Sequence, residues 1–240
     1  MLQNVEMVVF DMAGTTVQDK QEVEKCFFEA VGQTGLVVTR EEINSMMGWS
    51  KVTVFETLWK RQLIGSPGIE IATQVEKSYS IFKHTLENHY KNTPVCPTEG
   101  TLELFDYLKL NGIKIALTTG FYREVTDIIL HRLCWDKGLD ENYAGTELIN
   151  ASVSSDQVKS ARPAPFMIFR AMELCHVTDV RKVIKIGDTP SDLAEGKNAG
   201  CKYSFGVTNG THSKSELENV ENDGLFDNIN CFKTFLETGK

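Results

Sequence analysis

A short apolar run near the start of the chain ends in an aspartate, and small and hydroxyl residues follow at once. The run Val8-Val9-Phe10 leads into Asp11, and residues 13–16 are Ala-Gly-Thr-Thr. This pattern predicts a buried strand that ends at a glycine turn. Asp11 then lies at the carboxyl end of a strand, where open α/β sheets bind ligands. A carboxylate there can act as a nucleophile, a metal ligand or both, whereas the alternative is a residue that only caps a helix or closes a turn.

Polar residues also follow three other segments that alternate with predicted helices. A predicted strand at residues 113–117 runs into Thr118-Thr119-Gly120, and one at residues 181–186 runs into Gly187-Asp188-Thr189-Pro190-Ser191-Asp192. A loop before the helix predicted from Ala164 contains Lys159 and Arg162. Because parallel strands end on one edge of a sheet, we expect these residues to lie beside Asp11.

This set of residue types suits phosphoryl transfer. A carboxylate can attack phosphorus, while Mg²⁺, a cation and N–H or O–H donors stabilise the charge on the phosphoryl oxygens. Asp11, the Ala13 carbonyl and Asp188 are the expected metal ligands, and Asp192 either joins them or orients Lys185. Thr119 and the Gly120 amide are expected to bind a phosphoryl oxygen, and Arg162 to neutralise one and hold the aspartates. Taken singly, Thr119 and Asp192 have an alternative role as helix caps, and Arg162 as a surface cation.

Helical and alternating patterns divide the chain into two regions. Residues 20–95 carry helical apolar spacing and no convincing strand, and strands alternate with helices from about residue 100 onward. Alternation predicts an α/β fold with a Rossmann-like parallel sheet. We therefore predict a core of residues 1–17 and 96–240 and an inserted helical domain of residues 18–95. Its hinges are expected near residues 16–20 and 93–97.

Composition narrows the classes of protein that the chain can belong to. It has 240 residues, of which 41% are hydrophobic and 24% charged, and a formal net charge of -8. The negative charge argues against nucleic acid as a partner. No apolar run approaches a membrane span, and the start lacks the features of a signal peptide, so we expect a cytoplasmic protein that binds no membrane. Six scattered cysteines without a C-x-x-C pair indicate free thiols.

The four motifs together resemble those of the haloacid dehalogenase superfamily. They are residues 11–15, residues 117–120, Arg162 and residues 187–192. The resemblance implies a helical cap of the C1 type, an aspartyl-phosphate formed on Asp11, and Mg²⁺ as cofactor. It also implies that the substrate is a small phosphorylated or phosphonate molecule. Its expected substrate-binding residues are Ala13, Thr15, Met47, Gly48 and Gly120.

A finer resemblance is to the phosphonatase-like branch of that superfamily. Most phosphatases of the superfamily carry an acid–base aspartate two residues after the nucleophile, where this chain has Ala13. In the phosphonatase-like branch that position is alanine, and a lysine after a Met-Gly pair forms a Schiff base with the substrate aldehyde. Met47-Gly48-Trp49-Ser50-Lys51 has that spacing. The chain departs from this family where a histidine, a tyrosine and a cysteine are expected, at Val54, Phe121 and Gln21.

Three functions follow from these observations. The first is a phosphonatase-like hydrolase in which Lys51 forms an imine with a carbonyl phosphonate. The second is a phosphatase of small metabolites, in which Lys51 binds substrate without a covalent bond or has no role. The third is a binding module that has lost turnover. A homodimer formed through the cap is a further expectation.

Overall fold

The computed structural model describes residues 4–239, which form a six-stranded sheet surrounded by helices. The strand order is β3-β2-β1-β4-β5-β6, and every neighbouring pair is parallel. The strands are β1 (Met7–Asp11), β2 (Lys114–Thr119), β3 (Ala151–Ser154), β4 (Val183–Gly187), β5 (Tyr203–Val207) and β6 (Gly224–Phe226). The predicted α/β class with a Rossmann-like parallel sheet is confirmed.

The helices fall before and between the later strands, as the alternating pattern predicts. The helices before β2 are α1 (Glu22–Thr34), α2 (Arg40–Ser45), α3 (Lys51–Gln62), α4 (Gly68–Asn92) and α5 (Thr101–Leu110). The later helices are α6 (Arg123–Leu133), α7 (Phe166–Leu174), α8 (Pro190–Ala199), α9 (Lys214–Glu218) and α10 (Ile229–Thr238). Strand β1 pairs with β2 on one side and β4 on the other, so the strand order reverses at β1. Ligands bind at such a reversal in open α/β sheets.

Several predicted elements differ from the observed ones. Strand β3 was not predicted, because two of its four residues are serines and the apolar signal is weak. The strand expected from Arg181 begins at Val183, since residues 180–182 form a 3₁₀ turn. The helix expected from Ala164 begins at Phe166, after Pro165 in the N-cap position. Helix α9 was also not predicted in the tail.

The helical insertion has its own aromatic centre. Phe27, Phe55 and Phe82 come from three different helices, and their ring centroids lie between 4.5 and 6.0 Å apart. All three side chains are fully buried. A capping box at Thr39 begins α2. No strand is found between residues 20 and 95, a range that lies wholly within the described part of the chain. The boundaries drawn at residues 17/18 and 95/96 remain predictions.

The insertion lies against the edge of the sheet where the strands end. The Ser191 hydroxyl donates to the Met47 carbonyl at 3.4 Å, and His212 Nε2 lies 3.1 Å from the Asn44 carbonyl oxygen. On the other side, the Tyr122 hydroxyl donates to Glu87 of α4 at 3.1 Å. These contacts hold the cap closed over the sheet. Within residues 4–239, no helix has both the length and the apolar character needed to cross a membrane.

Candidate active site

Asp11 lies at the carboxyl end of β1, in register with Thr118 of β2. The side chain of Thr16 turns back to the Asp11 carbonyl, to which its hydroxyl donates at 2.8 Å. Asp11 is buried, with 4% of its surface exposed. The turn after β1 therefore fixes the backbone at Asp11 and holds its carboxylate at the point where the strand order reverses.

Three carboxylates converge at this edge of the sheet. One oxygen each from Asp11, Asp188 and Asp192 lies within 4.8 Å of the other two. The Asp188 carboxylate accepts hydrogen bonds from the Thr15 hydroxyl at 2.9 Å and from the Thr211 amide at 2.7 Å. Its orientation is therefore set from both sides by neighbouring loops.

A glycine allows this close approach of the first loop to Asp188. Gly14 has φ +92°, a conformation that favours glycine. A Cβ atom there would lie 2.2 Å from the Asp188 carboxylate. Any other residue at position 14 would displace the acid.

Two buried cations hold the carboxylates in place. Arg162 contacts Asp11 at 2.7 Å, Asp192 at 3.0 Å and Glu195 at 3.1 Å, and it donates to the Thr118 carbonyl at 2.7 Å. The Lys185 Nζ lies 2.9 Å from Asp192 and 3.2 Å from Glu195. All of these charged side chains are almost completely excluded from solvent. The alternative role of Arg162 as a surface cation is therefore excluded.

The charges of this cluster do not balance by themselves. Four carboxylates face two cations, so two negative charges are in excess when all groups are ionised. Burial, with further repulsion from Asp192, raises the pKa of Asp11 to about 7 although Arg162 opposes the shift. Burial, again with Asp192, raises the pKa of Asp188 to about 6. Arg162 and Lys185 outweigh the effect of burial on Asp192 and lower its pKa.

The cluster fits a magnesium ion. Its converging ligands are hard carboxylate oxygens, which Mg²⁺ prefers, and the excess of two negative charges equals the charge of the ion. Asp192 already interacts with two cations and a hydroxyl, which donates from Thr189 at 2.6 Å. Asp192 therefore also orients Lys185, which is one of the two roles that the sequence left open.

A small cavity separates the carboxylate cluster from the cap. Its volume is about 30 Å³, room for roughly one or two water molecules. Eight of the residues to which the sequence analysis gives a role in the site line it: Asp11, Ala13, Met47, Gly48, Lys51, Thr119, Gly120 and Arg162. Thr15, Lys159, Asp188 and Asp192 do not line it. A substrate enters only when the cap opens.

Lys51 extends from the cap into this cavity. Only 5% of its surface is exposed, and its Nζ donates a hydrogen bond to the Trp49 carbonyl oxygen at 3.4 Å. Within the described range, no carboxylate lies within ion-pair distance of Lys51. Burial lowers the pKa of Lys51 to about 8, although Asp19 and Asp11 oppose the shift. A substantial fraction of this amine is therefore neutral near physiological pH.

Two glycines bring the Lys51 loop against the ends of the strands. Gly48 has φ +83°, and a Cβ atom there would lie 2.3 Å from the Ser191 hydroxyl. A Cβ atom at Gly120 would lie 2.5 Å from the Gly48 carbonyl oxygen. Neither position accepts a side chain in the closed state.

Sequence reasoning missed two acids of the site. Glu195 contacts both buried cations, and its place three residues after Asp192 on one helix puts both on the same face. Asp19 lines the cavity from the linker between β1 and α1. A helix-spacing argument from Asp192 could have found Glu195, whereas no local pattern marks Asp19.

Comparison with known proteins agrees with this arrangement. The family model described as haloacid dehalogenase-like hydrolase matches residues 8–205. A phosphonoacetaldehyde hydrolase from Bacillus cereus is 32% identical over 251 residues, covering 98% of this chain and 89% of the relative. The chain therefore belongs to the haloacid dehalogenase-like hydrolase family and is a hydrolase. The resemblance to the phosphonatase-like branch is confirmed, and the alternative of a non-catalytic binding module is not supported.

Solved structures show the same fold. A phosphonoacetaldehyde hydrolase-like protein from Oleispira antarctica superimposes with a TM-score of 0.77 at 20% identity, covering 98% of this chain and 92% of that one. A beta-phosphoglucomutase from Clostridium difficile superimposes with a TM-score of 0.72 at 16% identity, covering 97% of this chain and 96% of that one. At these identities the likeness concerns the fold alone.

Proposed function

We propose that this protein is a Mg²⁺-dependent hydrolase that cleaves phosphonoacetaldehyde or a related carbonyl phosphonate through an aspartyl-phosphate on Asp11. The observation that supports this proposal best is Lys51. It is a buried amine without an ion pair among the described residues, and it lines the same small cavity as Asp11. A desolvated lysine is the amine that forms Schiff bases with carbonyl substrates. The relative from Bacillus cereus carries the name of such a hydrolase.

The two nucleophiles act on opposite ends of the substrate. The neutral Lys51 amine adds to the carbonyl carbon, and loss of water leaves an imine. The Asp11 carboxylate attacks phosphorus, the P–C bond breaks, and its electron pair moves into the protonated imine to give an enamine. A proton from water returns the enamine to an imine, which a second water hydrolyses to acetaldehyde and free Lys51. Another water cleaves the aspartyl-phosphate to phosphate and Asp11.

The surrounding residues position these groups. Asp11, Asp188, Asp192 and the Ala13 carbonyl would hold Mg²⁺, which, when bound, neutralises phosphoryl oxygens and leaves the Asp11 carboxylate ionised. Thr119 and Gly120 line the cavity and supply hydroxyl and amide donors for a phosphoryl oxygen. Arg162 fixes Asp11 through the 2.7 Å contact. The closed cap excludes bulk water from the imine.

A second candidate is hydrolysis of phosphate monoesters of small metabolites. It is favoured by Asp19, a carboxyl group that lines the cavity and that an ester reaction would use to protonate the leaving oxygen. In that reaction Lys51 only binds the substrate. The two functions differ in whether Lys51 becomes covalently attached.

Borohydride trapping separates the two functions. The wild-type protein is incubated with phosphonoacetaldehyde and Mg²⁺, reduced with borohydride, digested and analysed by mass spectrometry. The phosphonatase function predicts a reduced two-carbon adduct on Lys51 and release of acetaldehyde. Lys51→Arg should abolish both, while Lys20→Arg, a change on the linker, serves as the matched control. Ester hydrolysis that survives Lys51→Arg, with no adduct in the wild type, would support the phosphatase instead.

A further inference from the structure

The cavity contains a second carboxyl group besides the nucleophile. Asp19 follows β1 on the linker into α1 and lines the cavity together with Asp11 and Lys51. Among the described residues, Asp11 and Asp19 are the only carboxylic acids in that lining. Position 13, from which an acid would reach the leaving group, is an alanine and cannot transfer a proton.

The small size of the cavity places Asp19 close to any bound substrate. A space of about 30 Å³ holds roughly one or two waters, so a group that enters it contacts most of the lining atoms. Asp11 approaches from the strand ends, and Lys51 from α3 of the cap. Asp19 approaches from the linker, and its charge acts on Lys51 more strongly than that of Asp11 does. We therefore assign Asp19 to the end of the cavity that Lys51 lines.

Asp19 is also placed to exchange protons with solvent. It lines two neighbouring cavities of about 90 and 230 Å³ in addition to the active-site cavity. The larger one is bordered by the linker, by Gly14, by residues 98–99 and by Asn209. Asp19 is also only partly buried, so a proton that it gives to the substrate can be replaced from solvent.

The neighbours of Asp19 favour a protonated carboxyl near neutral pH. Its carboxylate accepts a hydrogen bond from the Glu22 amide at 2.8 Å, and the side chains of the two acids are hydrogen-bonded to each other. Burial and this contact with Glu22 raise the pKa of Asp19 to about 7. Acid–base residues work best when their pKa lies near the working pH. The other titratable or charged groups that act on it or on Glu22 are Lys51, Tyr90, Cys26 and His89.

We propose that Asp19 is the general acid–base residue of this active site and acts on the substrate oxygen that faces Lys51. With a carbonyl phosphonate, which rests on the proposed function, Asp19 protonates the hydroxyl of the Lys51 adduct. The C–O bond then breaks, water leaves with the electron pair, and the nitrogen lone pair completes the imine. When water later adds to the imine, the Asp19 carboxylate takes its proton back. With a phosphate ester, the same proton goes to the bridging oxygen as the P–O bond breaks.

Leaving-group dependence tests the proposal. Asp19→Asn is compared with the wild type on phosphonoacetaldehyde, on ethyl phosphate and on p-nitrophenyl phosphate, whose leaving group needs little protonation. We expect kcat to fall by about 10²- to 10⁴-fold on the substrates that need a proton and by less than about threefold on p-nitrophenyl phosphate. Equal losses on all substrates, or no loss on any, would overturn the proposal. Asp140→Asn, an exposed change on another loop, is the matched control.

A second variant keeps the test independent of folding and of the proposed function. Glu22→Gln retains Asp19 but removes the neighbouring negative charge, which lowers the pKa of Asp19. In a plot of kcat against pH, the fall in kcat on the alkaline side should therefore move to lower pH. An unchanged position of this fall would contradict the role of Asp19. If the wild type does not cleave phosphonoacetaldehyde, the proposed function fails while the two esters still test Asp19. Absence of turnover on all three substrates would overturn both proposals.

Discussion

Removal of the Asp188 charge is expected to stabilise the metal-free protein. Asp188 is fully buried, and burial with repulsion from Asp192 raises its pKa from 3.8 to about 6. Because the folded-state pKa lies above the unfolded one, the folded protein binds more protons between these values. The stability linked to Asp188 is therefore fully present below about pH 4 and is lost as pH rises through 6. The shift corresponds to a penalty of about 3 kcal/mol at pH 8.

Asp188→Asn removes this penalty and keeps the local hydrogen bonds. The asparagine oxygen can accept from the Thr211 amide, and its NH₂ can donate to the Thr15 hydroxyl, which rotates to accept. For a chain of this size, each kcal/mol moves the Tm by about 2–4 °C. The Tm of the metal-free variant at pH 8 should therefore exceed that of the wild type by up to about 6–12 °C. At pH 5 the difference should be smaller, because the wild-type carboxyl is mostly protonated.

Magnesium should reverse this order of stability. In the wild type, Mg²⁺ at about 100 times its Kd adds about 2.7 kcal/mol of stability. Asp188→Asn lacks one of the three converging carboxylates, so its Tm should barely respond to the ion. Scanning fluorimetry at pH 5 and pH 8, with EDTA and with Mg²⁺, measures both effects. Asp106→Asn, which changes an exposed carboxylate on α5, is the control. A variant that is less stable than the wild type at pH 8 in EDTA, or that keeps the full response to Mg²⁺, would refute this reasoning.

Three further predictions concern the cap. Gly120→Ala places a Cβ atom 2.5 Å from the Gly48 carbonyl oxygen and should prevent full closure of the cap. The value of kcat/KM should therefore fall at least about tenfold, while the Tm stays within a few degrees. Unchanged kinetics would contradict the closed cap as the active state. Phe82→Ala removes a fully buried ring from the aromatic centre of the insertion. The free energy of unfolding, measured in urea, should fall by about 3–5 kcal/mol. A fall of less than about 1 kcal/mol would mean that neighbouring side chains repack into the space. Thr39→Ala removes the N-cap of α2 and should lower the free energy of unfolding by about 1 kcal/mol. Thr57→Ala, which changes an exposed threonine within a helix, is the control and should lower it by less.

Much of the core could be predicted because its signals are local. Neighbouring residues in the sequence are enough to recognise the apolar run before Asp11. The same holds for the alternation of strands and helices after residue 100. Parallel topology then places Asp11, Thr119 and Asp188 on one edge of the sheet, because consecutive strands of such folds end on the same side. Strand β3 could not be predicted, because two of its four residues are serines and it has no periodic apolar pattern. It is stabilised by pairing with β2, a contact between distant parts of the sequence.

The sequence predicted most members of the candidate site, but not Asp19 or Glu195 and not the electrostatics of the site. Arg162 could equally have been a surface cation until the fold buried it among Asp11, Asp192 and Glu195. The state of Lys51 depends on the closure of a loop against strand ends that are far away in the sequence. Burial depends on the whole chain, so no spacing of residues reports the pKa of a buried amine.

The sequence by itself identified three of the residues to which we assign the chemistry: an aspartate at a strand end, an alanine two residues later, and a lysine after a Met-Gly pair. Their order along the chain also determined the parallel sheet and the helical insertion. Only the tertiary structure decided that Lys51 and Asp19 share one cavity with Asp11, because the cap and the linker reach the sheet edge through contacts between distant residues. Only the tertiary structure also left two negative charges in excess among buried groups, and this excess is the physical basis for expecting a magnesium ion.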